Sequence, residues 1–269
     1  MGVAHEVKRG FASLNVGAWG SAPYRMITGI HIKNCSGIQL NSSLGKGVIL
    51  LCGRYTVFTE EEMIEMNAII AEVSRKFGPD AVHTGEIFPT NTAPILMSEG
   101  GQLVPVPASW GFPKWGGGKG VVINARSESA LHKSMFSKAL LTRRCVIPST
   151  GFFDWTFGKA AEPENMSLFG DAEKSSPGKG KKVKLHFRLP GESMLYMAGI
   201  HDTSPDAQGK PRHSFCILTT EASHSLAHFH ERMPVILFPG EIDDWIRDEA
   251  FMREVLTRKG PELEWRRAS

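Results

Sequence analysis

The 269-residue chain has little of what would assign it to several common protein classes. It contains four cysteines, at Cys35, Cys52, Cys145 and Cys216, and no two of them form a CxxC pair. This spacing argues against a zinc site and against a disulfide framework, so we expect no metal and a reducing, cytoplasmic compartment. No run of 18 apolar residues is present, so no membrane-spanning helix is expected. The N-terminus also lacks the composition of a signal peptide.

The excess of one charge sign over the other is also small, because the net charge is only +3. The charge is uneven: residues 1–51 hold five basic residues and one acid, whereas the remainder is slightly acidic. If the chain binds nucleic acid, it must therefore do so through a local patch. The 41% hydrophobic and 22% charged content is that of a globular protein.

Short strand-like segments dominate the region after residue 51. Apolar and β-branched runs occur at 93–97, 103–106, 121–123, 185–188, 193–200 and 214–220, separated by Pro and Gly. Two amphipathic helices are predicted among them. One starts at an N-cap on Thr59 with a capping box closed by Glu62 and runs to Phe77, and the other follows Pro239. The pattern predicts an α+β fold with mostly antiparallel strands and a few peripheral helices.

Two segments lack this pattern of short strands. Residues 1–51 are rich in Gly, Ser and Asn and show no period of 3.6 or 2, so we expect a domain over 52–269 preceded by an extension that is not part of it. Residues 158–184 are rich in Gly, Ser, Pro and Lys, which predicts a flexible inserted loop. Its lysines, from Lys174 to Lys184, form either a solvated loop or an additional phosphate contact.

Five short strings carry more polar residues than packing requires. Each alone has a structural explanation, such as a buried cysteine at a strand start. Asp154 is less ordinary, because a carboxylate between Phe153 and Trp155 must be exposed, paired or functional. The strings are Cys52-Gly53-Arg54-Tyr55, Trp110-Gly111-Phe112-Pro113-Lys114-Trp115, Asn124-Ala125-Arg126-Ser127-Glu128, Pro148-Ser149-Thr150-Gly151-Phe152-Phe153-Asp154-Trp155 and His230-Glu231-Arg232-Met233-Pro234.

In this order and spacing the strings resemble those of the SRAP proteins (SOS-response-associated peptidases), which shield abasic sites in single-stranded DNA. The resemblance runs from Cys52 to about Trp245 and includes the strings at 143–148, 197–200 and 219–222. It implies a single α+β domain with a β-barrel-like core and a basic DNA channel. It also implies a monomer that uses no cofactor, binds no membrane and associates with the bacterial nucleoid when single-stranded DNA contains abasic sites.

The resemblance makes Cys52 the reactive residue. An α-amine forms a Schiff base with the ring-opened abasic aldehyde, and the thiol of the same residue then closes a five-membered thiazolidine. Only an N-terminal cysteine offers both nucleophiles. The family pattern is Met-Cys-Gly-Arg, whereas this chain has Leu51-Cys52-Gly53-Arg54. We therefore expect translation to start at the Leu51 codon, or a precursor to be cut before Cys52 by the self-processing peptidase activity of the family.

The resemblance assigns the remaining catalytic roles to three residues. Asp154 stands where the family has Glu and keeps the carboxylate of a general acid/base, although it is one methylene shorter. His230 would move protons during imine formation and its reversal. Asn124 would orient the cysteine amine or the sugar hydroxyls.

The DNA contacts implied by the resemblance lie elsewhere in the chain. Arg54 and Arg126 would clamp phosphates that flank the lesion, and Thr219 would donate to a phosphate. Trp115 would unstack a neighbouring base. Glu86 stands where many relatives have Asn, and a carboxylate there either repels a phosphate or binds a base edge.

Two other functions remain open at this point. One is a cysteine peptidase or amidase in which Cys52 and His230 form a nucleophile–base pair. The other is a non-covalent single-stranded DNA-binding module. Cys145 and Cys216 lie in apolar strands and are interpreted as core residues.

Overall fold

Strands form most of the structure, as the sequence predicts. The computed structural model describes residues 53–114, 118–157, 182–205 and 208–268, all of which fall within one compact unit. The strands are β1 (Arg54–Val57), β2 (Gly85–Ile87), β3 (Thr92–Glu99), β4 (Gln102–Trp110), β5 (Phe112–Pro113), β6 (Val121–Val122), β7 (Asn124–Arg126), β8 (Arg144–Ser149), β9 (Gly151–Phe157), β10 (Lys182–Arg188), β11 (Leu195–Pro205), β12 (Pro211–Glu221), β13 (Arg232–Pro234), β14 (Ile236–Leu237) and β15 (Glu264–Arg267). The helices are α1 (Ile64–Phe77), α2 (Ser127–Ala130), α3 (Ser134–Thr142), α4 (His224–Ala227), α5 (Ile242–Arg247) and α6 (Glu249–Thr257). This composition confirms the α+β class.

Five of these strands close into a barrel. Going around it, β4 pairs with β3, β3 with β8, β8 with β11, β11 with β12, and β12 returns to β4. The β12–β4 pair is parallel and the other four pairs are antiparallel. The barrel is filled by buried side chains such as Ile95, Ile147, Met197 and Phe215. The barrel-like core is thereby confirmed, and closure removes the exposed strand edges that promote aggregation.

A second sheet packs against the barrel in the order β15-β10-β9-β1-β2, and all of its pairs are antiparallel. Side chains directly opposite one another point to the same face, so the register defines two faces. The inner face carries Tyr55, Phe152 and Phe187, which are buried. The Tyr55 ring meets the barrel residue Trp110 edge-on, with 5.1 Å between the ring centroids. The sheet therefore shares one apolar core with the barrel.

The first helix begins later than predicted. The expected N-cap at Thr59 and capping box at Glu62 are wrong, because α1 starts at Ile64 and its N-cap residue Met63 makes no side-chain cap. Residues 60–63 instead form a turn in which the Met63 N–H donates to the Glu60 carbonyl at 2.9 Å, and the Asn67 amide donates to the same carbonyl at 3.1 Å. The polypeptide therefore enters the helix from this turn, and no side chain caps its first N–H groups.

The C-terminal helical region also differs from the prediction. The single helix expected after Pro239 is two helices, because Asp248 ends α5 and caps α6 by accepting from the N–H groups of Ala250 and Phe251. Buried Arg144 on β8 joins α5 to the barrel. Its guanidinium donates to the carbonyls of Trp245, Ile246, Leu140 and Leu141.

The predicted inserted loop ends earlier than expected. Strand β10 begins at Lys182, so the expectation that the loop extends through Lys184 is wrong. The reason is pairing: Lys182 to Phe187 form a ladder with β9, opposite Phe157 to Phe152. The remainder of the expected loop, 158–181, lies outside the described residues.

Candidate active site

Asp154 is a carboxylate within a strand and is only 5% exposed. It lies on the inner face of the five-stranded sheet, opposite Leu185 of β10 and two residues from Phe152. One carboxylate oxygen, Oδ1, accepts the N–H of Trp155 at 2.8 Å. A charge buried at this depth is costly and needs a partner or a function.

His230 follows α4 in a loop that is fixed to the same sheet. The adjacent Phe229 ring meets the rings of Phe187 and Trp265, with centroid distances of 5.8 and 5.1 Å. His230 Nδ1 accepts the backbone N–H of Arg232 at 3.1 Å. Neutral His230 must therefore carry its proton on Nε2. That Nε2 atom is buried and has no hydrogen-bond partner among the described residues, so it is available as a donor.

Asn124 and Arg126 project from β7, which pairs in parallel with β12. The register places Asn124 opposite Ile217 and Arg126 opposite Thr219. Residues two apart on a strand share a face, so the two predicted site residues lie on one side of β7. Arg126 is exposed and makes no ion pair within the described part of the chain.

Arg232 is a residue whose role the sequence interpretation missed, although its string was noted. Besides its N–H to His230, its guanidinium donates to both carboxylate oxygens of Glu128 and, at 2.6 Å, to the Thr219 carbonyl. This hydrogen bonding lowers the pKa of Glu128. Arg232 thus connects the His230 loop to β12 and to the helix that follows Arg126. The signal in the sequence was an arginine two residues after a candidate histidine.

Thr219 is positioned differently from the other predicted DNA contacts. Its side chain is fully buried, and its hydroxyl lies 3.5 Å from the Ala125 carbonyl. In this structure it supports the β7–β12 pair, and its contact with a phosphate stays a prediction.

Arg54 lies on the outer face, away from Asp154. Its guanidinium lies over the rings of both Phe88 and Trp155, at 4.3 and 4.9 Å from their centroids. It also forms an ion pair with Glu86 at 3.3 Å. Glu86 binds Lys184 as well, so this carboxylate is a counter-ion shared by two cations. Neither role predicted for Glu86 from the sequence includes this pairing.

Two of the four cysteines belong to the apolar core. Cys145 and Cys216 are fully buried, which confirms them as core residues. Burial raises the pKa of both thiols, so neither is an accessible thiolate nucleophile. Cys52 and Trp115 lie outside the described residues, and the first described residue after Cys52 is Gly53.

A family model of the SOS response associated peptidase (SRAP) matches residues 51–269. The chain belongs to the SRAP family. The resemblance carried by the five strings is thereby confirmed. Within the residues that the structure describes, this SRAP chain has no group of three His, Cys, Asp or Glu residues suited to a metal ion. The same part of the chain contains no helix that is both long and apolar enough to span a bilayer.

Relatives of this SRAP chain occur in distant organisms. It is 27% identical over 207 residues to the abasic site processing protein YoqW of Bacillus subtilis, covering 73% of this chain and 80% of the relative. It is 26% identical over 206 residues to YedK of Escherichia coli, another protein named for abasic site processing, covering 76% and 83%. The chicken abasic site processing protein HMCES is 28% identical over 193 residues, covering 65% and 56%.

Solved structures support the fold. A protein from Bacteroides thetaiotaomicron superposes with a TM-score of 0.60 at 21% identity, covering 81% of this chain and 92% of that one. A protein from Bordetella bronchiseptica gives a TM-score of 0.56 at 21% identity, covering 81% and 100%. At this level of identity the likeness concerns the fold alone.

Proposed function

We propose that this SRAP chain recognises abasic sites in single-stranded DNA and joins them covalently through Cys52 as a thiazolidine. The observation that carries the proposal is Asp154, a carboxylate buried on the inner face of the sheet whose first strand follows Cys52. A buried carboxylate is suited to proton transfer, which both imine formation and ring closure require. Relatives named as abasic site processing proteins supply the substrate class.

The covalent sequence balances without any added reagent. The Cys52 α-amine attacks the aldehyde carbon of the ring-opened sugar to give a carbinolamine, which loses water to form an imine. The thiol sulfur then adds to the same carbon, and the thiol proton passes to the nitrogen. The products are the thiazolidine and one water molecule, and no oxidant or metal is required.

Asp154 is the proton carrier in this proposal. As a carboxylic acid it protonates the departing hydroxyl of the carbinolamine, and as a carboxylate it accepts the thiol proton. His230 complements it, because Nε2–H is a hydrogen-bond donor in the neutral tautomer fixed by Arg232. The first role that we assign to His230 is therefore to donate a hydrogen bond to a sugar oxygen. Asn124 would orient the amine or the sugar hydroxyls.

The DNA strand is held by cations in this proposal. Exposed Arg126 and aromatic-supported Arg54 would contact flanking phosphates, and Trp115 would unstack a neighbouring base. The protein would act as a monomer in the cytoplasm, where it would meet damaged DNA of the nucleoid.

The chemistry requires a free α-amine on Cys52, so we propose that residues 1–51 are absent from the working protein. The family model begins at residue 51, which supports this boundary. Initiation at Leu51 and autoproteolysis before Cys52 would both expose the amine. Intact-mass analysis of protein made from the native gene should give a chain that begins at Cys52.

The test is a denaturing gel of the mature protein with an oligonucleotide that contains an abasic site. Wild-type protein should give a band that survives denaturation. Cys52→Ser should lose that band and keep salt-sensitive binding, because serine retains the amine but forms no sulfur ring. A Cys52→Ser adduct as stable as that of the wild type would refute the thiazolidine.

The same experiment separates the two alternative functions. A complex that forms and then dissolves on denaturation would indicate a non-covalent binding module. Absence of any complex, together with hydrolysis of peptide substrates, would indicate a Cys52–His230 peptidase or amidase. A full-length chain starting at Met1 that still forms the stable adduct would contradict the proposed mechanism.

A further inference from the structure

His230 lies in a loop that has little regular structure of its own. The helix before it, α4, has only four residues, and its N-cap residue Ser223 makes no side-chain cap. A helix of one turn leaves its first N–H groups without partners inside the helix and is not stable by itself. The position of His230 therefore depends on contacts that come from elsewhere in the chain.

The missing partners come from residues 260–265, which we call the C-terminal segment. One carboxylate oxygen of Glu262 accepts the N–H of Ser225 at 2.7 Å, and the other accepts the N–H of His224 at 3.3 Å. The hydrogen bonds from Ser225, and to a lesser extent the one from His224, lower the pKa of Glu262. Glu262 thus caps α4 from 37 residues away in the sequence, in place of the usual N-cap side chain.

The C-terminal segment contacts the start of the loop and its middle as well. Ser225 Oγ accepts the N–H of Leu263 at 2.9 Å, so each of the two segments caps the other. The Trp265 ring meets the Phe229 ring edge-on, with 5.1 Å between the centroids. Since Phe229 directly precedes His230, this contact fixes the backbone next to the histidine.

The end of the loop is held by Gly260. A Cβ on Gly260 would lie 2.4 Å from the sulfur of Met233, which is fully buried. The same sulfur accepts the N–H of Ser223 at 3.2 Å. Met233 directly follows Arg232, whose N–H donates to His230 Nδ1. The C-terminal segment therefore contacts the loop on both sides of His230.

The capped turn is hydrogen-bonded directly to the backbone of His230. The carbonyl of buried Leu226 accepts the N–H groups of Phe229 at 2.8 Å and of His230 at 3.0 Å. Arg232, by contrast, is held in strand β13 by pairing with β12. A shift of α4 would therefore move His230 relative to Arg232, and the direction of Nε2–H would change with it.

We propose that Glu262 is a positioning residue for His230, because its cap on α4 fixes the direction in which Nε2–H points toward the substrate. The inference rests on the proposed function for the role of His230. A donor that is displaced by about 1 Å loses much of its effect on a reaction rate. The phosphate contacts proposed for Arg54 and Arg126 do not involve this loop. Loss of the cap should therefore slow the chemistry and leave the affinity for DNA unchanged.

The test measures rate and affinity separately for the mature protein. Single-turnover adduct formation at saturating protein, with an abasic oligonucleotide, gives the rate, and fluorescence anisotropy with an undamaged strand gives the affinity. Glu262→Ala loses both acceptor oxygens and should slow adduct formation about tenfold, with affinity within about twofold of the wild type. Glu262→Gln keeps one acceptor oxygen and should slow it by only about threefold.

Glu264→Gln is the matched control. It removes an exposed carboxylate two residues further along, which makes no hydrogen bond to α4 in the part of the chain that the structure describes. Its rate and affinity should equal those of the wild type. A Glu262→Ala rate equal to that of the control, or a parallel loss of rate and affinity, would overturn the positioning role.

A double variant separates positioning from a general loss of structure. In a His230→Ala background, Glu262→Ala should cause no further loss of rate, because it acts only through the ring that is already absent. A similar tenfold loss in both backgrounds would make Glu262 a structural residue and contradict the proposal.

NMR of the histidine ring nitrogens provides a readout that needs no DNA. In the wild type, His230 should show one neutral tautomer with its proton on Nε2, because Nδ1 accepts from Arg232. In Glu262→Ala the two ring nitrogens should become more alike as this hydrogen bond loosens, whereas Glu264→Gln should keep the wild-type spectrum. An unchanged His230 spectrum in Glu262→Ala would also overturn the proposal.

The two proposals fail in different ways. Lack of a denaturation-resistant adduct between wild-type protein and the abasic strand refutes the proposed function, and the NMR comparison still tests whether Glu262 orients His230. A normal wild-type adduct, together with a Glu262→Ala rate and ring spectrum like those of the wild type, refutes only the positioning role.

Discussion

The two faces of the five-stranded sheet have opposite chemistry, although they alternate along the same strands. On β9, Phe152 and Asp154 face inward, whereas Phe153 and Trp155 face outward. The inner face is mostly apolar and buries the Asp154 carboxylate, and the outer face holds cations, rings and Glu86. The two-residue period of a strand therefore places the proposed proton carrier and the proposed DNA-binding cations on opposite faces within four consecutive positions. Because the faces are separate, single substitutions should affect one function without the other.

The largest effect should come from a change that disturbs both faces together. Gly151 has φ +142°, and a Cβ there would lie 2.4 Å from His186 Nε2 and 2.6 Å from the Phe187 carbonyl oxygen. Gly151→Ala should lower the free energy of unfolding by about 3 kcal/mol or more, measured by chemical denaturation. Gly191→Ala is the control: its φ is +74° and a Cβ there would meet nothing within 4 Å, so we expect a loss of about 1 kcal/mol. Equal losses would show that the contact with β10 does not matter.

A change confined to the inner face should affect chemistry alone. Asp154→Asn removes the proton acceptor and nearly keeps the shape, so adduct formation should slow by about 100-fold while the affinity for undamaged strand stays the same. Rates are read from denaturing gels and affinities from anisotropy. Asp154→Glu is the matched variant and should retain most of the rate, because it keeps the carboxylate. Parallel losses of rate and affinity in Asp154→Asn would make this residue structural.

A change confined to the outer face should be visible in the dependence of stability on pH. His186 has a folded pKa of about 4 against about 6.5 when unfolded, so the unfolded chain binds more protons between these values. The contribution of His186 to stability must therefore fall as the pH falls from 6.5 to 4. His186→Gln should remove about 2–3 kcal/mol of that fall. Denaturation curves of the wild type and the variant at pH 7 and pH 4.5 measure this difference. The lowered pKa of His201 contributes equally to the two proteins. Identical pH profiles would contradict the burial of His186.

The smallest effect should distinguish two arginines to which the sequence assigns the same role. Arg126→Ala should reduce the salt slope of single-strand binding by about 0.7, the value for one phosphate contact. Arg54→Ala should reduce it by less, because Glu86 already neutralises part of this charge. In a Glu86→Gln background the two reductions should become equal. A loss that depends on the flanking bases would instead indicate base readout.

Much of the fold could be predicted from local patterns. The strand runs around Ile95, Val106 and Ile217 were visible because β-branched and apolar residues cluster between Pro and Gly. The start of α1 could not be predicted, because the Met63 N–H donates to the Glu60 carbonyl in a preceding turn and no side chain caps the helix. The end of the inserted segment was misplaced because Lys182 and Lys184 are polar, and only their pairing with β9 makes them a strand.

The candidate site was predictable in its members but not in its arrangement. Short strings identified Asp154 and His230, yet nothing local indicates that Arg54 and Asp154 face opposite sides of a sheet. That relation follows from pairing between β1 and β9, which are about 100 residues apart in the chain. The bond from Arg232 to His230 and the sharing of Glu86 by two cations are likewise tertiary contacts.

The parallel pair that closes the barrel affects how the chain reaches its native state. Strands β4 and β12 meet at Ala108 and His213, so the seam forms only after about 100 intervening residues have been made. Contacts this distant in sequence slow folding, because the entropy of closing the loop is lost before the contacts form. During synthesis, the pairing edges of the earlier barrel strands therefore stay unpaired until β12 leaves the ribosome. We expect folding of this chain to be limited by that late closure, which makes the nascent chain, rather than the finished barrel, the form most exposed to aggregation.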